Sequence, residues 1–468
     1  METIDFIKEV ETTYDVSSIK VNNIEVWGFL RSIYSSEYFN KQLNLIGSKK
    51  TQFNAKIEKF KNAFYGIRNI FRRYEFLIFS DTMELKLVDG AYINKIVDYL
   101  IKQLDPKKVL LIENPESKSH FSLSQLFFKQ VISLDLFRCL CYFNFIKKKI
   151  KIHNEWILKD INSSHYLEID YNKNIFKFLC YYKIFKLFFL IQRPKLIFIT
   201  SYYGLTYQAA IYAAKQLNIT VTEIQHGLIT KKNPPYNVFL DLDKKMFPDY
   251  LLVLGPRVKE IFDQENKFIE KDNVIPIGSM YIDYLNNRYN NEIEEKLFND
   301  MKVRYKKTVV VSSQYTIENR LVEFLINSSF LDKSILYILV PRGIEKENIN
   351  CILPSNFIII LDIDIYQLIK LSDFHATVYS TCALEAPALG VPNIMINIDN
   401  LSINYYKEIL NNPNTTRYVN KEEEFVNLIK KWRKKDHEKI KILHEVNLTQ
   451  NYKDNFKRAL EIIQREAH

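Results

Sequence analysis

Short apolar runs alternate with longer amphipathic stretches along most of the chain from about residue 75 onward. The short runs are rich in β-branched and aromatic side chains and predict strands, whereas the stretches between them have the period of helices. This alternation is typical of βα units that build a parallel sheet. The predicted strands of this first series are EFLIFS (75–80), KVLLIE (108–113), KLIFIT (195–200), ITVTEI (219–224) and DYLLVLG (249–255).

A second series of alternating runs begins after the polar stretch NNRYNNEIEEKLFNDMKVRYKK, which indicates a domain boundary near 285–302. Its predicted strands are TVVVSSQ (308–314), ILYILVP (335–341), FIIILD (357–362), FHATVYS (374–380) and PNIMINI (392–398). We therefore expect an α/β protein with two Rossmann-like, doubly wound domains that face each other across a cleft. The expected bounds are 1–290 with a helical insertion at about 120–190, 300–445, and a terminal helix at 446–468 that can pack back on the first domain.

The length of 468 residues favours two domains, because a single hydrophobic core usually stops growing well below that size. The N-terminus is acidic and has no apolar run, so we expect neither a secretory signal nor a transit peptide, and a cytoplasmic location. The 5 cysteines lack metal-site spacing, and we interpret them as reduced core residues.

The formal net charge of +10 is consistent with anionic partners such as nucleotides or lipid headgroups. Nucleic acid is not expected, because the basic residues are spread along the chain and match no nucleic-acid-binding motif. Basic, aromatic helices between about Phe127 and Phe189, such as FNFIKKKIKIH and YYKIFKLFFLI, have two interpretations. They form either a face that lies on an anionic membrane or ordinary core helices with snorkelling lysines.

The triplet Gln225-His226-Gly227 follows a predicted strand, and ligands of open α/β sheets bind beyond the carboxyl ends of strands. Gly227 would let the backbone turn out of the strand, and His226 would project a titratable imidazole toward the ligand. A structural strand-end histidine is the alternative. Asp81 and Glu113 also end predicted strands, where either is a candidate base toward an acceptor hydroxyl.

The stretch VYSTCALEAPALGVP supplies the second candidate site, because Ser380 and Thr381 follow a strand and open a helix. Their hydroxyls and the free amides of the first helical turn can hold a phosphate, and Glu385 lies one turn further, where it can accept from a sugar hydroxyl. Ser313 and Gln314 end another strand and can line the same site. An ordinary helix cap, a solvated Glu385 and plain turn residues are the alternatives.

Together with EIQHGLI, PDYLLVLG and IPIGSMY, the pattern ST-x-ALEA-x-x-LG-x-P resembles bacterial glycosyltransferases of the two-Rossmann GT-B fold that build capsule, lipopolysaccharide or other surface glycans. The resemblance is clearest between about 195 and 400. It implies transfer of a sugar from a nucleotide donor, bound mainly by the C-terminal domain, to a glycan or lipid-linked glycan held by the N-terminal domain. It also implies that no catalytic metal or cofactor is needed. It matches His226 and Gly227 to the cleft-facing acid/base loop, Gly278 to a turn at the site, and Ser380, Thr381 and Glu385 to the donor-binding helix.

One departure from the family pattern concerns the donor. Related sialic-acid and Kdo transferases have a His-Pro pair after the second strand of the C-terminal domain, where this chain has Pro341-Arg342-Gly343. A cytidine-monophosphate donor is therefore disfavoured, although Arg342 can neutralise a donor phosphate or can be a solvated loop cation. A CMP-nonulosonate transferase, a nucleotide-sugar epimerase of the same fold and a non-enzymatic binder of anionic surfaces stay open as alternatives. The sequence also predicts peripheral contact with the inner face of the cytoplasmic membrane.

Overall fold

The computed structural model describes residues 2–42, 52–88, 90–115, 119–143, 150–287, 292–314, 316–342, 353–361, 363–433 and 436–466. The chain forms two compact units. The first unit comprises Met1–Val253, Val258–Met280 and Lys453–His468, and the second comprises Leu254–Arg257 and Tyr281–Tyr452. No described helix is both long and apolar enough to cross a membrane.

The first unit is built around a seven-stranded parallel sheet. The strands of this unit are β1 (Lys20–Val21), β2 (Ile24–Glu25), β3 (Phe76–Asp81), β4 (Leu85–Val88), β5 (Ala91–Asn94), β6 (Val109–Asn114), β7 (Val131–Ser133), β8 (Leu196–Ile199), β9 (Thr220–Ile224), β10 (Tyr250–Val253) and β11 (Val274–Pro276). Its helices are α1 (Thr3–Thr13), α2 (Trp27–Gln42), α3 (Gln52–Asn62), α4 (Asp98–Ile101), α5 (Asp135–Phe143), α6 (Glu155–Ser164), α7 (Tyr171–Gln192) and α8 (Leu205–Lys215). The order of the large sheet is β11-β10-β9-β8-β3-β6-β7, while β1–β2 and β4–β5 are antiparallel hairpins.

The second unit contains a six-stranded parallel sheet of order β14-β13-β12-β15-β16-β17. Its strands are β12 (Lys307–Ser312), β13 (Ile335–Val340), β14 (Phe357–Ile359), β15 (Phe374–Thr377), β16 (Asn393–Ile396) and β17 (Thr416–Val419). Its helices are α9 (Met280–Asn287), α10 (Glu292–Lys302), α11 (Glu318–Leu331), α12 (Ile365–Leu371), α13 (Cys382–Ala388), α14 (Leu401–Tyr406), α15 (Glu422–Lys431) and α16 (His437–His444). The last helix, α17 (Tyr452–Glu466), belongs almost entirely to the first unit.

The two parallel sheets with helices between their strands confirm the predicted α/β fold class. Every strand predicted from an apolar run is present, shifted by at most a few residues at its ends. The sheets also contain three strands that the pattern did not predict, β7, β11 and β17, which have only three or four residues each. Because β7 is part of the large sheet, the stretch at 120–190 is not purely helical. Cys139, Cys141, Cys180 and Cys382 are free thiols, and Cys351 lies outside the described residues.

A buried ion pair joins the N-terminal helices to the segment that follows β9. Arg31 on α2 is 1% exposed, and its Nε donates to Glu11 Oε1 of α1 at 2.7 Å. The other two guanidinium nitrogens donate to the carbonyls of Pro234 and Asn237, each at 2.7 Å. Glu11 also accepts hydrogen bonds from Trp27 Nε1 and the Phe239 amide. Both charges are therefore fully hydrogen-bonded, as burial requires.

We expect Arg31→Ala to destabilise the first unit by about 3–5 kcal/mol, because it leaves the Glu11 carboxylate buried without its charge partner. Urea-induced unfolding monitored by circular dichroism measures this loss. The control is Arg320→Ala, which breaks the exposed Arg320–Asp399 pair of the second unit and should cost less than about 1 kcal/mol. Equal costs for the two variants would show that the Arg31 pair does not hold the segment.

Candidate functional site

The strand order of the first sheet reverses between β3 and β8. From β3 the chain first adds β6 and β7 on one side and then returns to add β8, β9, β10 and β11 on the other. The carboxyl ends of β3 and β8 therefore form a topological switch point, the usual place for a ligand in an open α/β sheet. Asp81 ends β3, and His226 follows β9, the next strand beyond β8. The fold thus brings two of the predicted site residues to one edge of the sheet.

His226 is partly buried at this edge. Its Nε2 lies 3.2 Å from the hydroxyl of Tyr203, while Nδ1 is buried and makes no hydrogen bond of standard geometry. Burial lowers the pKa of His226 below the ordinary 6.5, and the nearby carboxylates of Glu84 and Asp81 oppose this shift. The imidazole is therefore held mainly neutral at neutral pH, which is the form that can accept a proton.

Asp81 is oriented by two neutral donors. Its Oδ1 accepts hydrogen bonds from Asn114 Nδ2 and from Tyr207 Oη, the latter at 3.0 Å. Burial raises the pKa of Asp81, whereas these hydrogen bonds and the proximity of His226 lower it. A carboxyl and an imidazole whose pKa values are shifted toward each other can exchange a proton and act as an acid/base pair.

The third predicted base, Glu113, lies elsewhere. In the β3–β6 register Asp81 pairs with Asn114 and Ser80 pairs with Glu113, so Glu113 points to the opposite face of the strand from Asn114. Its side chain is fully buried, and Oε1 lies 2.7 Å from His120 Nδ1. His120 Nε2 in turn lies 2.8 Å from Ser133 Oγ. The structure therefore places Glu113 in a buried chain of hydrogen bonds with His120 and Ser133, which includes neither Asp81 nor His226.

The two predicted turn glycines differ in their backbone. Gly278, just after β11, has φ of +85°, in the left-handed region that favours glycine. Gly227 does not have a positive φ, and a Cβ built on it would meet nothing within 4 Å. The expected need for glycine freedom at 227 is therefore wrong. The turn is fixed instead by Gln225, whose Nε2 donates to the Gly227 carbonyl at 2.8 Å.

Glu223, three residues before His226, is a fully buried carboxyl that sequence reasoning did not single out. Its Oε1 accepts from Tyr236 Oη at 2.8 Å and from the Tyr202 amide at 3.3 Å, while Oε2 has no hydrogen-bond partner. Burial raises the pKa of Glu223 to about 8. Glu223 therefore binds the loop after His226 at Tyr236, next to the Pro234 and Asn237 carbonyls that Arg31 holds.

In the second unit the strand order reverses between β12 and β15, and the loops after these strands are tied together. Thr377 Oγ1 donates to the Ser312 carbonyl at 2.8 Å, and the Tyr379 amide donates to Gln314 Oε1 at 3.2 Å. The predicted donor residues Ser313 and Gln314 therefore lie beside the loop that leads to Ser380. Ser313 is 1% exposed, and its Oγ has no hydrogen-bond partner.

The loop after β15 leads directly into α13. Ser380 is buried, and its Oγ accepts from the Cys382 amide at 3.3 Å, so its hydroxyl is used in capping the helix. Thr381 stands at the N-cap position with φ of −61° and makes no side-chain capping bond. Glu385, one turn on, is partly exposed and accepts from Tyr366 Oη at 2.9 Å. Thr381 and Glu385 thus present side-chain oxygens near the switch point.

Arg342 follows β13, the strand beside β12. Its amide donates to the buried Glu318 carboxylate at 2.7 Å, which fixes the backbone at this position. Its side chain is exposed, and its guanidinium makes no hydrogen bond or ion pair with any residue that the structure describes. Gly343, the next residue of the predicted motif, lies outside the described residues.

A metal site is not evident in the described part of the chain, where no group of three or more His, Cys, Asp or Glu side chains converges. Asp364, from the sequence LDID, caps α12 by accepting from the Tyr366 amide at 2.9 Å, and Asp362 lies outside the described residues. Tyr203, Tyr207 and Tyr366 were not predicted as site residues. The run SYYGLTY directly after a strand is the signal that could have identified the first two.

Neither the protein-family models nor the curated proteins contain a match to this sequence. Solved structures do match. The glycotransferase of kitacinnamycin has a TM-score of 0.51 at 11% identity, over 84% of this chain and 99% of its own. UDP-GlcNAc 2-epimerase of Methanocaldococcus jannaschii, in complex with UDP-GlcNAc and UDP, has a TM-score of 0.50 at 14% identity, over 83% and 99%. MnaA of S. aureus, in a co-structure with UDP, has a TM-score of 0.50 at 12% identity, over 84% and 96%. At such identities the likeness shows the fold, GT-B.

The buried Glu223 carboxyl predicts a pH-dependent contribution to stability. Between the ordinary carboxyl pKa of 4.5 and about 8, the folded protein holds this proton more tightly than the unfolded chain does. Stability from this group therefore falls as pH rises through that window. Because Glu223→Gln cannot lose a proton, its unfolding free energy relative to wild type should increase from about pH 5 to about pH 8. A pH-independent difference in urea unfolding would contradict the buried, protonated carboxyl.

Proposed function

We propose that this chain is a glycosyltransferase that moves a sugar from a nucleotide-sugar donor to a surface glycan or a lipid-linked glycan. The observation that carries the proposal is the edge of the second sheet, where the tied ends of β12 and β15 lead toward Thr381 and Glu385, and where β13, the strand beside β12, ends shortly before Arg342. A phosphate needs a cation and hydroxyl or amide donors, and a sugar needs carboxylate acceptors. These residues supply all three kinds of group.

In this proposal the second unit binds the donor. Arg342 neutralises a donor phosphate with a guanidinium that is exposed in the described structure. Thr381 adds a hydroxyl that is not used in capping, and Glu385, held by Tyr366, accepts from a hydroxyl of the ribose or the sugar. Because the cation comes from the protein, the proposed reaction needs no catalytic metal or other cofactor.

The first unit binds the acceptor and removes its proton. Tyr203 Oη already places an O–H group 3.2 Å from His226 Nε2, which marks the direction from which that nitrogen can take a proton. The lowered pKa of His226 favours the neutral base over a protonated imidazole that stabilises the departing phosphate. Asp81 stabilises the imidazolium that forms. Gly227 leaves open space beside His226, into which an acceptor can approach.

An epimerase of the same fold is the second candidate, favoured by the likeness to the Methanocaldococcus jannaschii enzyme over 83% of this chain. An epimerase changes the donor sugar alone. A transferase releases free nucleotide in proportion to acceptor, whereas an epimerase converts the nucleotide sugar to its epimer without acceptor. A CMP-nonulosonate donor is less favoured, since Arg342 stands where the related transferases have histidine.

The acceptor and the cellular location are also proposals. A glycan attached to a lipid would require the enzyme to work at the inner face of the cytoplasmic membrane, as a peripheral protein. Capsule and lipopolysaccharide precursors are acceptors of this chemical class, and the family resemblance in the sequence is the support for them.

His226→Asn should lower turnover by about 10²–10⁴-fold and leave donor affinity nearly unchanged, because Asn keeps a hydrogen-bonding group but cannot carry the proton. Initial rates with and without acceptor, together with nucleotide titration, measure the two effects. His153→Asn is the control, because that histidine is exposed in the same unit. Full turnover in purified His226→Asn would reduce His226 to a structural residue and would leave Asp81 as the candidate base.

Thr381→Trp should weaken nucleotide binding, since an indole at the start of α13 fills the space that the donor phosphate needs. Calorimetric titration with the nucleotide measures the affinity. Ser355→Trp places the same bulk at an exposed position just before β14, at the amino end of the second sheet, and should bind the donor normally. Equal nucleotide affinities for the two folded variants would show that the donor does not bind at Thr381.

A further inference from the structure

An exposed apolar stripe runs along α3 and the turn that follows it. Ile57 and Phe60 are three residues apart and lie on one face of α3, and Phe64 follows in the turn after the helix. Phe60 and Phe64 are 49% and 56% exposed, and their rings contact each other edge to face at 5.2 Å. Contiguous exposed apolar residues are typical of surfaces that bind a protein partner or a membrane.

A second exposed stripe lies at the end of α7. The aromatic residues predicted for a membrane face, such as Phe178, Phe185 and Phe188, are in fact buried in the core. The opposite side of the helix instead exposes Leu187, Leu190 and Ile191, each more than half exposed. The core interpretation therefore holds for one side of this helix, and the other side is apolar and exposed. The stretch 144–149 of the other predicted basic helix lies outside the described residues.

The two stripes belong to one layer of helices. Helix α5 lies between them: Cys139 Sγ donates to the Lys59 carbonyl on α3, and the Phe137 ring packs on Phe188 of α7 at 5.0 Å. Beyond α5, Gln192 Nε2 at the end of α7 donates to the Ile70 carbonyl at 2.9 Å. We name this layer's exposed apolar surface the docking face, and its members are Ile57, Phe60, Phe64, Leu187, Leu190 and Ile191.

Cations outnumber acidic residues in the two segments that carry the docking face. Residues 57–73 and 171–193 contain ten lysines and arginines and one acidic residue, Glu58. Glu58 accepts a hydrogen bond from Ser119 at the edge of this surface. Like charges also approach one another here, because Lys59 and Lys173 both act on Lys177, whose pKa is lowered mainly by burial. Such a surface needs an anionic partner.

We propose that the docking face binds the surface of an anionic lipid bilayer. Exposed Leu, Ile and Phe side chains enter the boundary of the acyl chains, while the surrounding lysines and arginines contact anionic headgroups. A second copy of this chain fits less well, because an isologous contact would oppose the same ten cations. The proposal extends the proposed function by naming where a lipid-linked acceptor would be met, but lipid binding is measured without turnover.

Co-sedimentation with vesicles tests the docking face. Wild-type protein should bind phosphatidylcholine vesicles that contain phosphatidylglycerol at low salt, should be released by salt, and should not bind phosphatidylcholine alone. The variant Phe60→Ser/Phe64→Ser/Leu190→Ser should bind at least about tenfold more weakly. The variant Lys61→Glu/Arg72→Glu/Lys183→Glu should also lose more than about tenfold, since each basic residue contributes roughly fivefold near such a surface.

Matched controls lie in the second unit. Phe330→Ser/Ile442→Ser removes apolar side chains that are each 64% exposed, and Lys407→Glu/Lys439→Glu reverses exposed charges; both should bind vesicles normally. All substituted residues are exposed, so thermal unfolding should be unchanged.

Several results would overturn the docking face. One is the absence of vesicle binding by wild type at low salt, and another is binding that both test variants retain. A dimer that the apolar variant dissociates, without lipid binding, would assign the face to a second copy. Nucleotide affinity, and turnover on a lipid-free acceptor, should be normal in these variants. Vesicle binding without any nucleotide binding would therefore keep the docking face and reject the glycosyltransferase.

Discussion

The buried pair between Arg31 and Glu11 is the interaction on which the geometry of the first site depends. The chain leaves β9 at Ile224, passes His226 and then runs without regular strand structure to β10. Arg31 holds this segment by two main-chain carbonyls, and Glu11 holds it by the Phe239 amide. A loop fixed by a fully hydrogen-bonded charge pair cannot drift without leaving a charge buried and unpaired. The segment that begins at His226 is therefore fixed at Pro234, Asn237 and Phe239, which the proposed role of His226 requires.

In the second unit the loops are also held in place, there by hydrogen bonds between neutral groups. The Thr377 hydroxyl and the Gln314 side-chain oxygen join the loops after β12 and β15. Beneath them, fully buried His375 connects three strands by contacts with Ser312 and Asn393. Burial lowers the pKa of His375 to about 4, so it remains neutral and structural. The proposed donor-binding residues follow the ends of two strands: Thr381 and Glu385 come after β15, and Arg342 comes after β13.

Much of the fold could be predicted from the sequence, because strands that are buried on both faces of a parallel sheet consist of continuous apolar runs. The short strands β7, β11 and β17 lack such runs and depend on their neighbours. The strand order brings Asp81 and His226 to one edge of the sheet. Because side chains alternate between the two faces of β6, Asn114 and not Glu113 lies beside Asp81. Arg31 and Pro234 are 203 residues apart, so no local pattern could have paired them. The prediction that the turn needs glycine at 227 was wrong because the Gln225 side chain fixes this turn and Gly227 does not have a positive φ.

Binding of a nucleotide sugar by the intact protein is the central claim, and thermal unfolding across a panel of nucleotide sugars of different bases tests it most directly. One member of the panel should stabilise the protein by about 2.7 kcal/mol when present at 100 times its dissociation constant, and its free nucleotide should also bind. A panel in which no nucleotide sugar changes the unfolding of well-folded protein, even at millimolar concentration, would contradict the claim.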